Sequence, residues 1–432
     1  MSTLRAALIL AALAACQGSR DAPAPAPVAA APIDAAPAPI PAIAAASSGP
    51  TPSTSDGHAP ADPSPLPVGD CPGPPGATAP DDPEATVEQL LDRAAAAFDA
   101  NQLELAWSCA DRAADLEPRS VEAHHLRGAA LAALGHADEA ETAYTMALAL
   151  DPEDPETLRA AADFYVNVKP GKGKDALLVG LELARRGSAR ATARRRGNAQ
   201  LRAGLALLEA QALDDLGKSD QALGRADDAL RLAPHLTDAI HERGVALYNL
   251  GRFDAARIEF TRVLGDDPED PYAHQFLGLT FESLGRPADA DAHFQRAHAL
   301  DPVAFPAPVV ISVADFRAEI DRVKAALPAA RQAELVGVPI EIVDRPAPED
   351  LTAVDPPFPP TILGLFRGLP RGATLAPGET APAQSIVLYR LNLARAVKSR
   401  EELSEQIERT LLHELGHLEG LDEDELRRRN LD

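Results

Sequence analysis

Hydrophobic and polar positions alternate in three different ways along the chain. Between residues 17 and 85 almost nothing large is available to bury; Ala, Pro, Ser and Asp dominate, which predicts an extended, unstructured tether. Between about residues 86 and 306 a pattern of small and apolar residues repeats itself, predicting stacked helices. After Pro308 the pattern changes again. VISVADFRAEIDRVKAAL places its apolar residues at helical spacing, and VPIEIVD, TILGLF and QSIVLYRLNL read as strands rich in Val, Ile and Leu. A final helix is predicted from near Ser399 to about Leu418. Residues 309–432 are therefore expected to form an α+β domain large enough for its own core.

The period of the middle region is 34 residues. It separates Gly217, Gly251 and Gly285, and equally Pro234, Pro268 and Pro302, Ala222, Ala256 and Ala290, and the pair Phe260 and Phe294. Pro118 and Pro152, and Ala106 and Ala140, show the same step earlier, while the stretch from Glu156 to Leu201 is irregular. Small Ala lets two helices approach, Gly ends the first helix in a left-handed turn, and Pro stops the second. These residues resemble the tetratricopeptide repeats, a family of paired antiparallel helices, in five or six units over residues 86–306. The resemblance implies an all-α solenoid with a concave surface that binds protein or peptide.

Composition then sets limits. The formal net charge of −24 argues against electrostatic binding of nucleic acid or of an anionic membrane surface. The Pro170–Lys174 stretch, PGKGK, lacks the spacing and hydroxyl of a phosphate-cradling loop, and the basic run Arg190 to Arg196 reads as a solvated segment between repeats. His124 and His125 are adjacent on a helix, point in different directions, and cannot form a paired metal site.

The first 16 residues have Arg5, an apolar stretch from Ala6 to Leu13 and small residues before Cys16. That stretch is far short of the roughly 20 apolar residues that span a bilayer. Residues 1–16 resemble a bacterial lipoprotein signal peptide, with Leu13, Ala14, Ala15 and Cys16 as the lipobox. This implies acylation of Cys16 and an outer-membrane lipoprotein of the cell envelope, touching the membrane only through that lipid. An ordinary cleaved signal is the alternative. Cys71 and Cys109 remain, compatible with one bridge in an oxidising compartment but expected mostly to be incidental.

Chemistry concentrates in the last helix, in TLLHELGHLEGLDEDEL. Its HELGH fits the HExxH pattern of zinc peptidases. His413 and His417 stand one helical turn apart on the same face, where both imidazoles can bind one Zn²⁺. Glu414, rotated about 100° from His413, stands beside the metal and can act as general base toward a water activated by it. Gly420 offers a turn that brings the chain back, and the third ligand is expected at Glu423, six residues beyond His417, with Asp422 as the alternative. Asp422 and Glu425 form a DxxE pattern suited to capping a short following helix, which favours Glu423. The only methionines are Met1 and Met146, so the downstream methionine turn of the metzincins is missing.

The segment from about Ser312 to Leu426 resembles the minimal zincins, compact bacterial metallopeptidase-like domains with an HExxHxxGxx motif followed by an acidic residue. The resemblance implies a Zn²⁺-dependent peptidase with Glu414 catalytic and His413, His417 and Glu423 as ligands. Tyr389, Arg367 and Arg390 are the candidates for a second electrophile that would meet the oxyanion. Two functions follow: a lipid-anchored envelope peptidase whose repeats recruit a protein substrate or partner, or a non-catalytic repeat scaffold with a vestigial or structural zinc domain.

Overall fold

The architecture is that of a computed structural model, which describes residues 71, 86–169, 173–193, 199–354, 357–373, 383–429 and 431. The signal peptide with Cys16, the tether apart from Cys71, most of the PGKGK stretch and the end of the basic run lie outside the described residues. Eighteen helices and one three-stranded sheet are described. No helix among the described residues is long and apolar enough to cross a membrane.

Twelve helices form six successive pairs. They are α1 Val87–Asp99 with α2 Leu103–Leu116, α3 Val121–Leu134 with α4 Ala137–Leu150, and α5 Pro155–Asp163 with α6 Lys174–Ala193. Then follow α7 Ala199–Asp215 with α8 Ser219–Leu232, α9 Thr237–Asn249 with α10 Phe253–Asp266, and α11 Pro271–Ser283 with α12 Pro287–Leu300. The periodic glycines make the turns inside the pairs: Gly217, Gly251 and Gly285 have φ of 72°, 70° and 71°, a left-handed conformation that a side chain rarely adopts. A second set of glycines sets how closely the helices approach. A Cβ at Gly244 would stand 2.8 Å from the ring of Phe260, and one at Gly278 2.5 Å from the ring of Phe294. The irregular stretch is the third pair, where α5 runs into a π-helical turn, Phe164–Val168, before the long α6.

Cys71 and Cys109 form a disulfide, with Cα atoms 4.7 Å apart, which corrects the expectation that both are incidental. Cys71 is fully buried with Leu90, Ala94 and Ala110 against α1 and α2, a burial that a linker position did not suggest.

The C-terminal region contains α13 Val313–Ala326, α14 Ala329–Glu334, β1 Ile340–Val343, α15 Pro348–Leu351, β2 Gly364–Arg367, β3 Ser385–Tyr389, α16 Arg390–Arg395, α17 Arg400–Glu419 and α18 Glu423–Arg428. β3 is central, parallel to β1 and antiparallel to β2. Leu403, Ile407, Leu411 and Leu415 form the buried stripe of α17 and share a core with Phe316 and Ile320 of α13 and Ile386 and Leu388 of β3. Only the first half of QSIVLYRLNL is a strand. Leu393, Ala394 and Val397 are buried at helical spacing, and the chain bends into α16.

Candidate metal centre

Helix α17 starts at an N-cap, where Ser399 accepts from the Glu402 backbone N–H, and ends at Gly420, whose φ of 89° turns the chain back. Asp422 then caps α18 by accepting from the Glu425 N–H, so its carboxylate serves the backbone while Glu423, on the first turn, faces α17. Gly416, between the two histidines, makes this return possible: a Cβ there would stand 2.3 Å from Leu426 of α18. Nothing in the motif's spacing assigned Gly416 a role; the signal is only that a glycine occupies a helix interior, which costs stability unless something packs against it.

The fold brings His413, His417 and Glu423 together. The two Nε2 atoms are 3.1 Å apart, and Glu423 Oε1 lies 3.2 Å from His417 Nε2 and 3.8 Å from His413 Nε2. Ligands bound tetrahedrally to zinc at about 2.0–2.1 Å stand about 3.3 Å from one another, so these spacings suit one small cation. The protonation pattern agrees. His413 Nδ1 lies 2.8 Å from the Leu431 carbonyl and His417 Nδ1 3.1 Å from the Leu421 carbonyl. A carbonyl oxygen only accepts, so each Nδ1 carries the hydrogen, and each Nε2 of a neutral ring presents a lone pair toward the other and toward a carboxylate. Three electron-rich atoms so arranged need positive charge between them. A proton can supply that charge as a cation can: burial pulls His417 toward a lower pKa, yet a proton placed between its Nε2 and Glu423, with the charges of Glu414 and Glu423, outweighs this and raises it above the ordinary histidine value.

Glu414 is buried beside this cluster, not in it. Burial pushes its carboxyl above the ordinary range, against the lowering influence of both histidines and of a hydrogen bond with the Phe366 backbone. Gly364 of β2 makes room for it: a Cβ there would stand 3.0 Å from Glu414 Oε1 and 2.6 Å from Thr410 Cγ2. This glycine is a positioning residue that sequence reasoning missed, although it stands inside the TILGLF run, where a glycine within a strand marks close approach.

The three candidate electrophiles are engaged elsewhere. Tyr389 is fully buried on the central strand, its hydroxyl donating to Asp350 at 3.1 Å, and burial together with that carboxylate raises its pKa. It therefore covers the core and does not border a strand edge. Arg367 donates to both oxygens of Asp350 and to Glu341, and Arg390 to Asp344 and the Ile311 carbonyl. The edge strand nearest Glu414 is β2. Tyr389 N donates to Leu363 O, and the register pairs Leu365 with Val387, so alternation turns the backbone groups of Gly364 and Phe366 away from β3. His124 and His125 do diverge, one reaching the Pro118 carbonyl and the other Thr157 of the next pair.

Comparison with known proteins adds the family context. Residues 335–431 match the zincin-like metallopeptidase family. Residues 121–154, 207–260 and 241–304 match the tetratricopeptide repeat. No curated protein matches the chain. Among solved structures, it is similar to YrrB, described as a tetratricopeptide protein with an unusual peptide-binding site, at 20% identity and TM-score 0.34, covering 45% of this chain and 95% of that one. It is similar to pilF of Pseudomonas aeruginosa at 14% identity and TM-score 0.42, over 54% of this chain and 97% of that one. It is also similar to a thermophilic tetratricopeptide protein of Thermus thermophilus at 18% identity and TM-score 0.36, over 48% of this chain and 100% of that one. The chain thus combines tetratricopeptide repeats with a C-terminal zincin-like metallopeptidase domain.

Proposed function

We propose that this protein is a lipid-anchored zinc metallopeptidase of the cell envelope, attached through Cys16, whose repeats recruit a protein partner or substrate. The observation that carries the reading is the convergence of His413 Nε2, His417 Nε2 and Glu423 Oε1 beside the buried carboxylate of Glu414. These three residues would hold the metal. Zinc bound there would supply Lewis acidity, enough to bring the pKa of water down to about 7. The carbonyls of Leu431 and Leu421 keep both rings in the tautomer that leaves Nε2 bare. Glu414, buried beside the cluster, takes the proton of the attacking water on a carboxylate oxygen and returns it to the leaving amine. An extended peptide can pair with the outward backbone groups of Gly364 and with the Phe366 carbonyl, the Phe366 N–H being engaged with Glu414, which brings its scissile bond to that carboxylate. Support for an exported location comes from the Cys71–Cys109 bridge, a bond that persists in oxidising compartments.

A non-catalytic scaffold that still binds zinc is favoured by one observation, the engagement of Tyr389, Arg367 and Arg390 with other partners. Glu414→Gln separates the two readings. With the purified protein lacking residues 1–16, the substitution abolishes hydrolysis of an unfolded protein substrate while elemental analysis still finds one zinc per chain. Wild-type protein that purifies without zinc, or hydrolysis that persists undiminished in the variant, overturns the peptidase reading.

A further inference from the structure

The turn that leads into β2 cannot secure itself. Pro357, Pro359 and Pro360 have no backbone N–H to give, so this stretch is rich in acceptors and poor in donors. Pro360, Ile362 and Leu363 are buried, and buried carbonyls need donors from elsewhere. The segment that runs from β3 into α16 supplies them. Tyr389 N donates to Leu363 O at 2.9 Å, and the side-chain amide of Asn392 donates to Pro360 O at 2.9 Å and to Ile362 O at 2.7 Å. Both neighbours of that amide only accept, which turns its nitrogen toward them and engages both of its hydrogens in one turn.

Asn392 is otherwise out of place. It is a weak helix former set between Leu391 and Leu393, and it is only 7% exposed, where an amide without partners would be costly. What it holds is the strand beside Glu414. Ile362 stands two residues before Gly364, Gly364 lies against Glu414 Oε1, and the Phe366 N–H donates to the Glu414 carboxylate. β2 borders β3 on one side only, so its placement depends on that ladder and on how its ends are held. A shift of the turn would carry Gly364 and Phe366 with it.

We propose that Asn392 is a positioning residue for this site: by clamping the Pro360–Ile362 turn it fixes β2 where Gly364 and Phe366 aim the Glu414 carboxylate. It acts through the strand and not on the reacting atoms. This rests on the peptidase reading for the effect on rate, and on the hydrogen bonds alone for the placement of β2.

Asn392→Leu keeps the size of the side chain and removes both donors. In the full chain, elemental analysis should still find one zinc. Hydrogen exchange of the Gly364–Arg367 amides should be about tenfold faster or more, with the β1 amides as in wild type. On an unfolded protein substrate, kcat should fall about tenfold or more. Asn392→Ala, which spares the two carbonyls a packed leucine and admits water, should move exchange and kcat in the same directions. Ile320→Val, a loss of one methylene from α13 in the same core, should leave kcat as in wild type, which separates placement from mere loss of stability. Unchanged exchange overturns the proposal. So does a kcat, in a hydrolysing enzyme, that is unchanged or that falls as far in Ile320→Val. A wild type that hydrolyses nothing, with faster exchange in the Asn392 variants, refutes the peptidase reading and leaves the clamp standing.

Discussion

Asp422 and Glu423 are neighbours with separate tasks. One carboxylate accepts the Glu425 N–H and starts α18, and the other reaches the two imidazoles. Asp422→Ala should lower stability by about 1 kcal/mol through loss of the cap and keep stoichiometric zinc. Glu423→Gln should keep the fold and lose zinc on dialysis, measured by elemental analysis. The opposite pattern would assign the third ligand to Asp422. Gly364→Ala tests placement at the same scale. The added methyl meets Glu414 Oε1 and Thr410 Cγ2 and displaces the carboxylate, so hydrolysis should fall about 100-fold with the zinc content unchanged. A Gly364→Ala enzyme of full activity would remove this glycine from the site.

Helices and strands carry a pH-dependent consequence through Asp214 on α7, which accepts from Ser219 Oγ at 2.6 Å and Asn249 Nδ2 at 2.8 Å. Burial pushes its carboxyl up to about 6 from an ordinary value of 3.8. Between those values the folded protein retains a proton that the unfolded chain has released. The contribution is fully present below about pH 4 and is lost as pH rises through about 6. Wild type should therefore lose stability relative to Asp214→Asn between pH 4.5 and 7.5, as followed by denaturant unfolding of each at both values; a difference independent of pH contradicts the assignment. The repeats were legible in the sequence because a fixed period forces Gly217, Gly251 and Gly285 into one turn geometry, and few other folds repeat every 34 residues. HELGH was legible for a similar reason, since two histidines four residues apart share a helix face wherever the helix is placed. Contacts between segments distant in sequence were not. The end of β3 at Tyr389 is decided by which of Leu393, Ala394 and Val397 find a core, and a short apolar run interrupted only by Arg390 and Asn392 does not reveal its period. Gly364 became significant only when β2 was laid against α17, and Tyr389 was set aside as an electrophile only once β3 proved to be the middle strand.

The two domains are joined where Glu282, at the end of α11, receives Arg395 from α16 and, through its backbone carbonyl, Arg345 from the segment after β1. Arg395 is mostly buried in this joint and also covers Phe294. Removing a partner from such a pair strands a charge, so Arg395→Ala should uncouple the domains, and calorimetry should resolve two unfolding transitions where wild type shows one. A single transition in the variant would mean that other contacts hold the joint. At the opposite end, the disulfide has a mechanical implication. It closes a loop of 38 residues that contains α1, and it fastens the incoming chain to the middle of α2. A pull exerted from the amino end enters the solenoid at Cys109 and leaves α1 outside the line of force. The outermost helix of a stack, supported on one side alone, is the first to peel away under load, and the cross-link shields it from unzipping.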